Sequence, residues 1–229
     1  MIKEEFIKEF EDLNLLLNHP GKVILSEIIE MSYKFFANKF ASGGVLALTE
    51  HAFQFELGVI LKALGQLYEY KPTDKFTVDF EAPFTLDTKT KKNKKAKSRI
   101  DLMLTYKLNE KIYKAAIELK FFKKENHREP KNRYDVFKDI YKLELYKKNG
   151  FDVCYFFLVT DHEHYVSHKK YSVNTSDFDC RQGQKYKAGT CLSYRTSKPH
   201  GPNITLTKDY YFNQWRTLKG FYFLKMKIE

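Results

Sequence analysis

The sequence is poor in cysteine and has no long apolar segment. Its 229 residues include three cysteines, an odd and small number. We therefore expect no disulfide scaffold and a reducing, cytoplasmic location. The longest uncharged run, Phe40 to Thr49, is far shorter than the roughly 18 residues of a membrane span. The amino terminus is charged from Lys3 onward, which is not typical of a signal peptide. No membrane partner is therefore expected.

The chain also lacks the motifs of several large enzyme classes. It contains no glycine-rich loop of the kind that cradles nucleotide phosphates, so the use of ATP or NAD is not expected. Its cysteines and histidines show no spacing typical of a zinc site. There is no internal repeat and no heptad pattern.

Basic and aromatic residues are abundant. Forty Lys and Arg face 29 Asp and Glu, which gives a net charge of +11 and a pI near 9.3. Such an excess favours a polyanionic partner, and nucleic acid is the partner that we expect. Because 43% of the residues are hydrophobic and 16% are aromatic, the chain has ample material for a packed core.

Hydrophobic periodicity predicts helices first and strands afterwards. Apolar residues recur at three- and four-residue steps in three segments, 4–17, 24–40 and 45–68, which indicates helices. Alternation then predicts strands over 76–84, 99–106 and 112–122. A helix is expected over about 133–148, followed by a continuous apolar run at 151–160 that is typical of a buried, parallel strand. Strand-like stretches at 204–212 and 221–228 follow an irregular region, 161–202.

Two of these strands carry charged residues at matched positions. If they form a hairpin with Asn109 and Glu110 at its tip, residues pair when their numbers sum to 219, and Asp101 faces Glu118. Two carboxylates about 5 Å apart repel each other unless a cation lies between them. Mg²⁺ fits because it binds few carboxylates and keeps several waters. Lys120 lies on the same strand face as Glu118, so the three residues predict a site for phosphodiester hydrolysis.

This pattern resembles the PD-(D/E)XK nuclease superfamily, in its pair Ile100-Asp101 and its tripeptide Glu118-Leu119-Lys120. Ile100 stands where the motif name has proline. The superfamily has a restriction-endonuclease-like fold, a mixed β-sheet flanked by helices with an αβββαβ core. The resemblance places that core at about 45–161, within a single nuclease-like domain 1–229. The remaining parts are N-terminal helices at 1–44 and an irregular, strand-rich part at 162–229.

Several segments also resemble, more narrowly, a group of poorly characterised bacterial proteins of this superfamily. The segments are the helix with Glu50 and Gln54, Glu81 on a strand, and the stretches IELKFFKK, FFLVTD and WRTLKGFYFLKMKI. Glu81 is interpreted either as a further ligand or base, or as a rim or salt-bridge residue.

The resemblance implies a role for each matching residue. Asp101 and Glu118 would be metal ligands, with the Leu119 carbonyl as another, and Lys120 would orient the attacking water. Glu50 is the expected helix glutamate, which also supports or binds metal, with Glu56 as the alternative. The expected ion is Mg²⁺, for which Mn²⁺ would substitute.

Basic residues on both sides of these strands are candidates for contact with a phosphate backbone. Those after the third strand are Lys123, Lys124, Arg128, Lys131 and Arg133, and those before the second are Lys97 and Arg99. The basic stretch 89–99, to which these two belong, is read equally as a solvated hairpin tip.

The sequence therefore predicts a Mg²⁺-dependent nuclease, and we expect a DNA endonuclease of restriction or another defence system. The alternative is a non-catalytic nucleic-acid-binding protein on the same fold. RNA as the substrate and a homodimer both remain open.

Overall fold

The computed structural model describes residues 21–46, 48–86, 96–167 and 170–229. The predicted helix over 4–17 and the lysines from 89 to 95 lie outside these residues. Three α-helices occur in the described part of the chain: α1 (Gly21–Ala41), α2 (Glu50–Gln66) and α3 (Glu129–Lys148). Its strands are β1 (Lys75–Leu86), β2 (Ala96–Leu108), β3 (Lys111–Phe122), β4 (Val153–Thr160), β5 (Lys185–Tyr186), β6 (Cys191–Leu192), β7 (Ile204–Thr205), β8 (Tyr210–Tyr211), β9 (Trp215–Leu218) and β10 (Phe221–Ile228).

A six-stranded mixed sheet in the order β1-β2-β3-β4-β10-β9 forms the centre of the fold. β3 and β4 are parallel and are joined through α3, while the other neighbouring pairs are antiparallel. The prediction of an α/β fold with a mixed sheet is confirmed. So is the predicted element order of helix, three strands, helix and buried strand.

The β2–β3 hairpin has the predicted register. Its pairs run from Leu102↔Ile117 to Leu108↔Lys111. Asn109 and Glu110 form the tip with φ angles of 48° and 66°, which suits the twist of a two-residue hairpin turn.

Both helices that border the site begin at positions set by local chemistry. α2 starts at Glu50 rather than Val45 because the Thr49 side chain accepts a hydrogen bond from the Ala52 amide and caps the helix. α3 starts at Glu129, earlier than predicted. Pro130 fits in its first turn, because backbone N–H groups there have no partner within the helix and the missing one is no loss.

The two faces of the sheet are covered differently. α1 and α2 pack on one face around Ile117, Leu119 and Tyr155. α3 and the C-terminal part pack on the other, around Phe137, Phe156 and other buried side chains. All eight residues of β4 are buried, as its apolar sequence predicts. Each face has its own apolar cluster, so the sheet itself is interior.

The C-terminal part completes the sheet but is less regular than predicted. β10 matches its predicted stretch, whereas 204–212 contains only the two-residue strands β7 and β8. Between them the chain bends toward buried Glu144 on α3, which accepts hydrogen bonds from the Thr207 amide and the Tyr210 hydroxyl. These bonds satisfy a buried carboxylate that would be costly to leave without donors.

Among the described residues, no helix is both long enough and apolar enough to cross a membrane.

Candidate functional site

Along strands β1 and β2, the side of the sheet on which the side chains lie is reversed at the position where Glu81 is opposite Asp101. The ladder pairs Phe80 with Leu102 and Ala82 with Ile100, so these two acidic residues lie between regular pairs. Glu81 has a φ of 48°, a left-handed conformation that is costly for a non-glycine residue. This unusual backbone conformation coincides with the position at which the side chains of both strands change sides.

This turn corrects one expectation about β2. Alternation predicts that Ile100, Leu102 and Leu104 share a face. Leu102 and Leu104 do pack toward α1 and α2, but Ile100 packs toward α3. The rotation at Glu81 and Asp101 reverses the side on which the following residues lie, and strict alternation cannot anticipate it.

Asp101 is held by the backbone of β3 and by α2. Its Oδ2 accepts a hydrogen bond of 2.6 Å from the Leu119 amide, just beyond the last regular pair of the β2–β3 ladder. Its main-chain carbonyl accepts a 2.5 Å bond from Gln54 Nε2, which also donates to Glu81 Oε1 at 3.1 Å. Burial raises the pKa of Asp101 to about 6, against the opposing effects of Lys120 and the Leu119 amide.

Glu118 is buried against α3. Only 1% of it is exposed. Its Oε1 accepts a hydrogen bond from the Tyr146 hydroxyl and its Oε2 from Lys142 Nζ, both at 3.3 Å. Burial raises the pKa of Glu118 well above its ordinary value, and the neighbouring Asp139 and Asp101 raise it further. Lys142 is the nearest cation that counters this effect.

Lys120 connects three elements. Its Nζ lies 3.0 Å from Glu50 Oε1 on α2 and 3.1 Å from Asp139 Oδ2 on α3. It also donates a 2.9 Å hydrogen bond to the Leu119 carbonyl. Burial lowers the pKa of Lys120, but the surrounding carboxylates outweigh burial and raise it above its ordinary value. The ammonium group is therefore held charged between the two helices.

The structure brings Glu50, and not Glu56, next to these residues. Glu50 is in the first turn of α2, beside Lys120. Glu56 lies six residues further on, about 9 Å along the helix axis. Among the described residues, Glu56 forms no hydrogen bond or ion pair with Asp101, Glu118 or Lys120.

Five carboxylates and two lysines meet at this end of the sheet. The carboxylates belong to Glu50, Glu81, Asp101, Glu118 and Asp139, and the ammonium groups to Lys120 and Lys142. A cleft of about 20 Å³, near the space that one water molecule needs, is lined by Glu50, His51, Gln54, Glu81, Asp101 and Leu119. The excess of negative charge at a small cleft suits a small cation.

The donor set is one that hard divalent ions prefer. It consists of carboxylate oxygens and the Leu119 carbonyl, with no sulfur. One buried oxygen, Asp139 Oδ2, accepts no hydrogen bond although Lys120 Nζ is 3.1 Å away. In the described part of the chain, no three or more His, Cys, Asp or Glu side chains are arranged as a metal-binding group. In this conformation the ammonium of Lys120 lies among the carboxylates.

Two contributors were not identified from the sequence. Lys142 and Tyr146 both contact Glu118 from α3. Their spacing of four residues from one another places them on one helix face, but nothing local indicates that this face meets β3. Asp139, three residues before Lys142, belongs to the same face and contacts both lysines.

The predicted basic residues divide into exposed and buried ones. Lys124, Arg128, Lys131 and Arg99 are exposed. Lys123 is partly exposed and pairs with Glu125 at 3.1 Å. Lys97 belongs to β2, and its side chain lies outside the part that the structure describes.

Arg133 corrects the prediction of a phosphate contact. Only 2% of it is exposed. Its guanidinium donates to the Thr175 and Phe178 carbonyls and to Thr175 Oγ1, and it lies 3.6 Å from the centre of the Tyr171 ring. The region after β4 folds over this face of α3 and uses Arg133 as an internal anchor.

Comparison of the chain with protein-family models, with curated proteins and with solved structures finds no match in any of the three.

Proposed function

We propose that the protein is a divalent-metal-dependent nuclease that hydrolyses phosphodiester bonds, with DNA as its substrate. The observation that carries the proposal is the convergence of four sequence-predicted residues from three elements. Glu50 comes from α2, Asp101 from β2, and Glu118 and Lys120 from β3. The helix–three strands–helix–strand order supports a restriction-endonuclease-like core, and the net charge of +11 supports a polyanionic substrate.

In this proposal, the carboxylates bind the metal and Lys120 positions the water. Asp101, Glu118, Glu50 and the Leu119 carbonyl supply oxygen ligands for Mg²⁺ or Mn²⁺. When bound, the ion lowers the pKa of a water molecule and stabilises the negative charge that develops on the phosphate. Lys120, held charged by Glu50 and Asp139, donates a hydrogen bond that orients the water toward the phosphorus.

One observation favours a second candidate, a nucleic-acid-binding protein without catalysis. Lys120 is ion-paired on both sides, with Glu50 and with Asp139, as a purely structural lysine would be. The two candidates differ in whether a divalent ion binds to the carboxylates and whether the backbone of the nucleic acid is cut.

The test is cleavage of supercoiled plasmid and of single- and double-stranded oligonucleotides in Mg²⁺, in Mn²⁺ and in EDTA. Lys120→Ala is compared with Lys138→Ala, which removes an exposed lysine from α3. We expect metal-dependent cutting by the wild type and by Lys138→Ala, and its loss in Lys120→Ala.

Calorimetric titration with Mn²⁺ provides a readout that does not depend on the choice of substrate. Asp101→Asn should abolish binding. If the wild type neither cuts nor binds Mn²⁺, catalysis is excluded and the second candidate stands.

A further inference from the structure

A second concave surface lies between α1 and the last two strands. This groove has a volume of about 610 Å³, within the range of small-molecule sites in proteins. The C-terminal half of α1 forms one wall and 213–216 the other, with Phe223 and Lys225 of β10 between them. None of the residues of the candidate metal site lines it.

Positive charge dominates the groove. Lys34, Arg216 and Lys225 line it together with a single acid, Glu30. Glu30 is already satisfied, since it accepts a 2.6 Å hydrogen bond from the Tyr155 hydroxyl and pairs with Lys225 at 2.9 Å. Lys34 and Arg216 are exposed and form no ion pair among the described residues. An anionic ligand would therefore meet two cations that no described carboxylate neutralises.

The rest of the lining is polar at the rim and apolar at the floor. Asn38, Asn213 and Gln214 offer amide groups that can donate hydrogen bonds to phosphate or to base edges. Ala37, Leu218 and Phe223 form apolar surface beneath them. Nucleic-acid grooves for single strands combine cations that follow the backbone with apolar or aromatic surfaces for the bases.

The sheet register places the groove level with the candidate metal site. Phe121, next to Lys120, pairs with Val159, which pairs with Phe223, which in turn pairs with Arg216. Three strand spacings separate the ends of this row, about 14 Å at 4.7–4.9 Å each. Phe121, Val159 and Phe223 are buried, so a strand that reaches both places runs over the surface of the protein and not along this row.

We propose that this groove binds a single-stranded segment of nucleic acid that flanks the phosphodiester bond at Lys120. The proposal rests on the proposed function for its substrate, but its geometry is separate. A groove of this volume holds a nucleotide-sized portion of a strand and is too small for an intact duplex. Lys34 and Arg216 contact the phosphates, and the partly exposed side chains of Trp215 and Leu218 lie against the bases.

The experiment measures binding in EDTA, where a metal-dependent nuclease cannot cut. Fluorescence anisotropy reports the affinity for labelled single strands of about 20 nucleotides, of DNA and of RNA, and for the matching duplex. The groove variant is Lys34→Ala with Arg216→Ala. The control is Lys111→Ala with Lys114→Ala, two exposed lysines on β3 about 20–30 Å from Lys120 along the strand.

We expect the groove variant to bind the single strand about tenfold more weakly than the control variant at about 0.1 M salt. Since each phosphate contact contributes about 0.7 to the salt dependence for single strands, its log–log slope should fall by about 1.4. Arg216→Ala alone should produce about half of this change in slope. Thermal melting of each variant verifies that it is folded.

Three outcomes would overturn the proposal: equal affinities of the groove and control variants, absence of single-strand binding by the wild type, or equally tight binding of a mononucleotide, which would make the groove a nucleotide site. The nuclease proposal is tested separately by cleavage. If the groove variants lose strand binding while the wild type never cuts, the groove proposal is supported and the nuclease proposal is wrong. If the wild type cuts and groove variants bind normally, only the groove proposal falls.

Discussion

Asp139 on α3 lies 3.1 Å from the ammonium group of Lys120 on β3, and its other carboxylate oxygen lies 2.8 Å from Lys142. One buried carboxylate thus positions two lysines, one beside Glu50 and one beside Glu118. Because Asp139 is only 3% exposed, water screens these ion pairs weakly. Asp139 therefore acts on the site through Lys120 and Lys142.

Replacing Asp139 should impair the proposed reaction without removing a metal ligand. We expect Asp139→Asn to lower kcat by about 10- to 100-fold, the usual cost of losing a residue that orients an active-site group, with a smaller change in KM. The control is Asp135→Asn, on the same helix but paired with His200. Unchanged kcat in Asp139→Asn would show that Lys120 is positioned without it.

The raised pKa of Asp101 predicts how stability depends on pH in EDTA. With a folded-state pKa of about 6 against an ordinary value of 3.8, the folded protein holds a proton that the unfolded chain releases in this range. The contribution of Asp101 to stability is therefore fully present below about pH 4 and is lost as the pH rises through about 6, by on the order of 2 kcal/mol.

Urea unfolding from pH 4 to pH 8 measures this effect. Asp101→Asn should reduce the loss of stability between pH 4 and pH 8 by about 2 kcal/mol, while other groups such as Glu118, whose pKa is also raised, keep their own contribution. It should also stabilise the metal-free protein at pH 8, because it removes a buried charge. Asp79→Asn, at an exposed position on β1, should leave the profile unchanged. A profile for Asp101→Asn as steep as that of the wild type would contradict the assignment.

Arg133 is predicted to contribute to stability. Arg133→Met keeps much of the side-chain volume but leaves the Thr175 and Phe178 carbonyls without their donor. We expect the free energy of unfolding to fall by about 2–4 kcal/mol, measured by urea denaturation. Arg128→Met, at the exposed N-cap position of α3, should change it by less than about 0.5 kcal/mol. Equal values for the two variants would show that the anchor is dispensable.

Gly65 near the end of α2 is predicted to be irreplaceable for steric reasons. A Cβ atom there would overlap the ring of Phe76, which is 3% exposed and cannot move aside. Gly65→Ala should destabilise the protein by about 1–3 kcal/mol, although alanine favours helix by about 1 kcal/mol. Thermal denaturation shows whether Gly65→Ala lowers or raises the stability. The double variant with Phe76→Ala should lose less stability than the sum of the two single variants, because the overlapping ring is then gone.

The elements next to the site were predictable because their signals are local. Apolar periodicity identified α1, β1, β2, β3 and β4, and the turn residues Asn109 and Glu110 set the hairpin register. The register fixes which residues of β2 and β3 are neighbours, so the proximity of Asp101 to the Glu118–Lys120 segment followed from counting along the chain. Helix starts shifted by a few residues, since Thr49 and Pro130 act through capping and ring geometry.

By itself the sequence determined the α/β class, the order of the core elements and the acidic and basic residues on β2 and β3. Only the tertiary structure decided that Glu50 rather than Glu56 lies beside Lys120, that Asp139 and Lys142 complete the cluster, and that Arg133 is buried. The physical reason is the separation of the interacting residues along the chain. Periodicity and turn chemistry act over a few residues, whereas these contacts join residues 19 to 70 positions apart, and their formation depends on how the helices pack on the sheet.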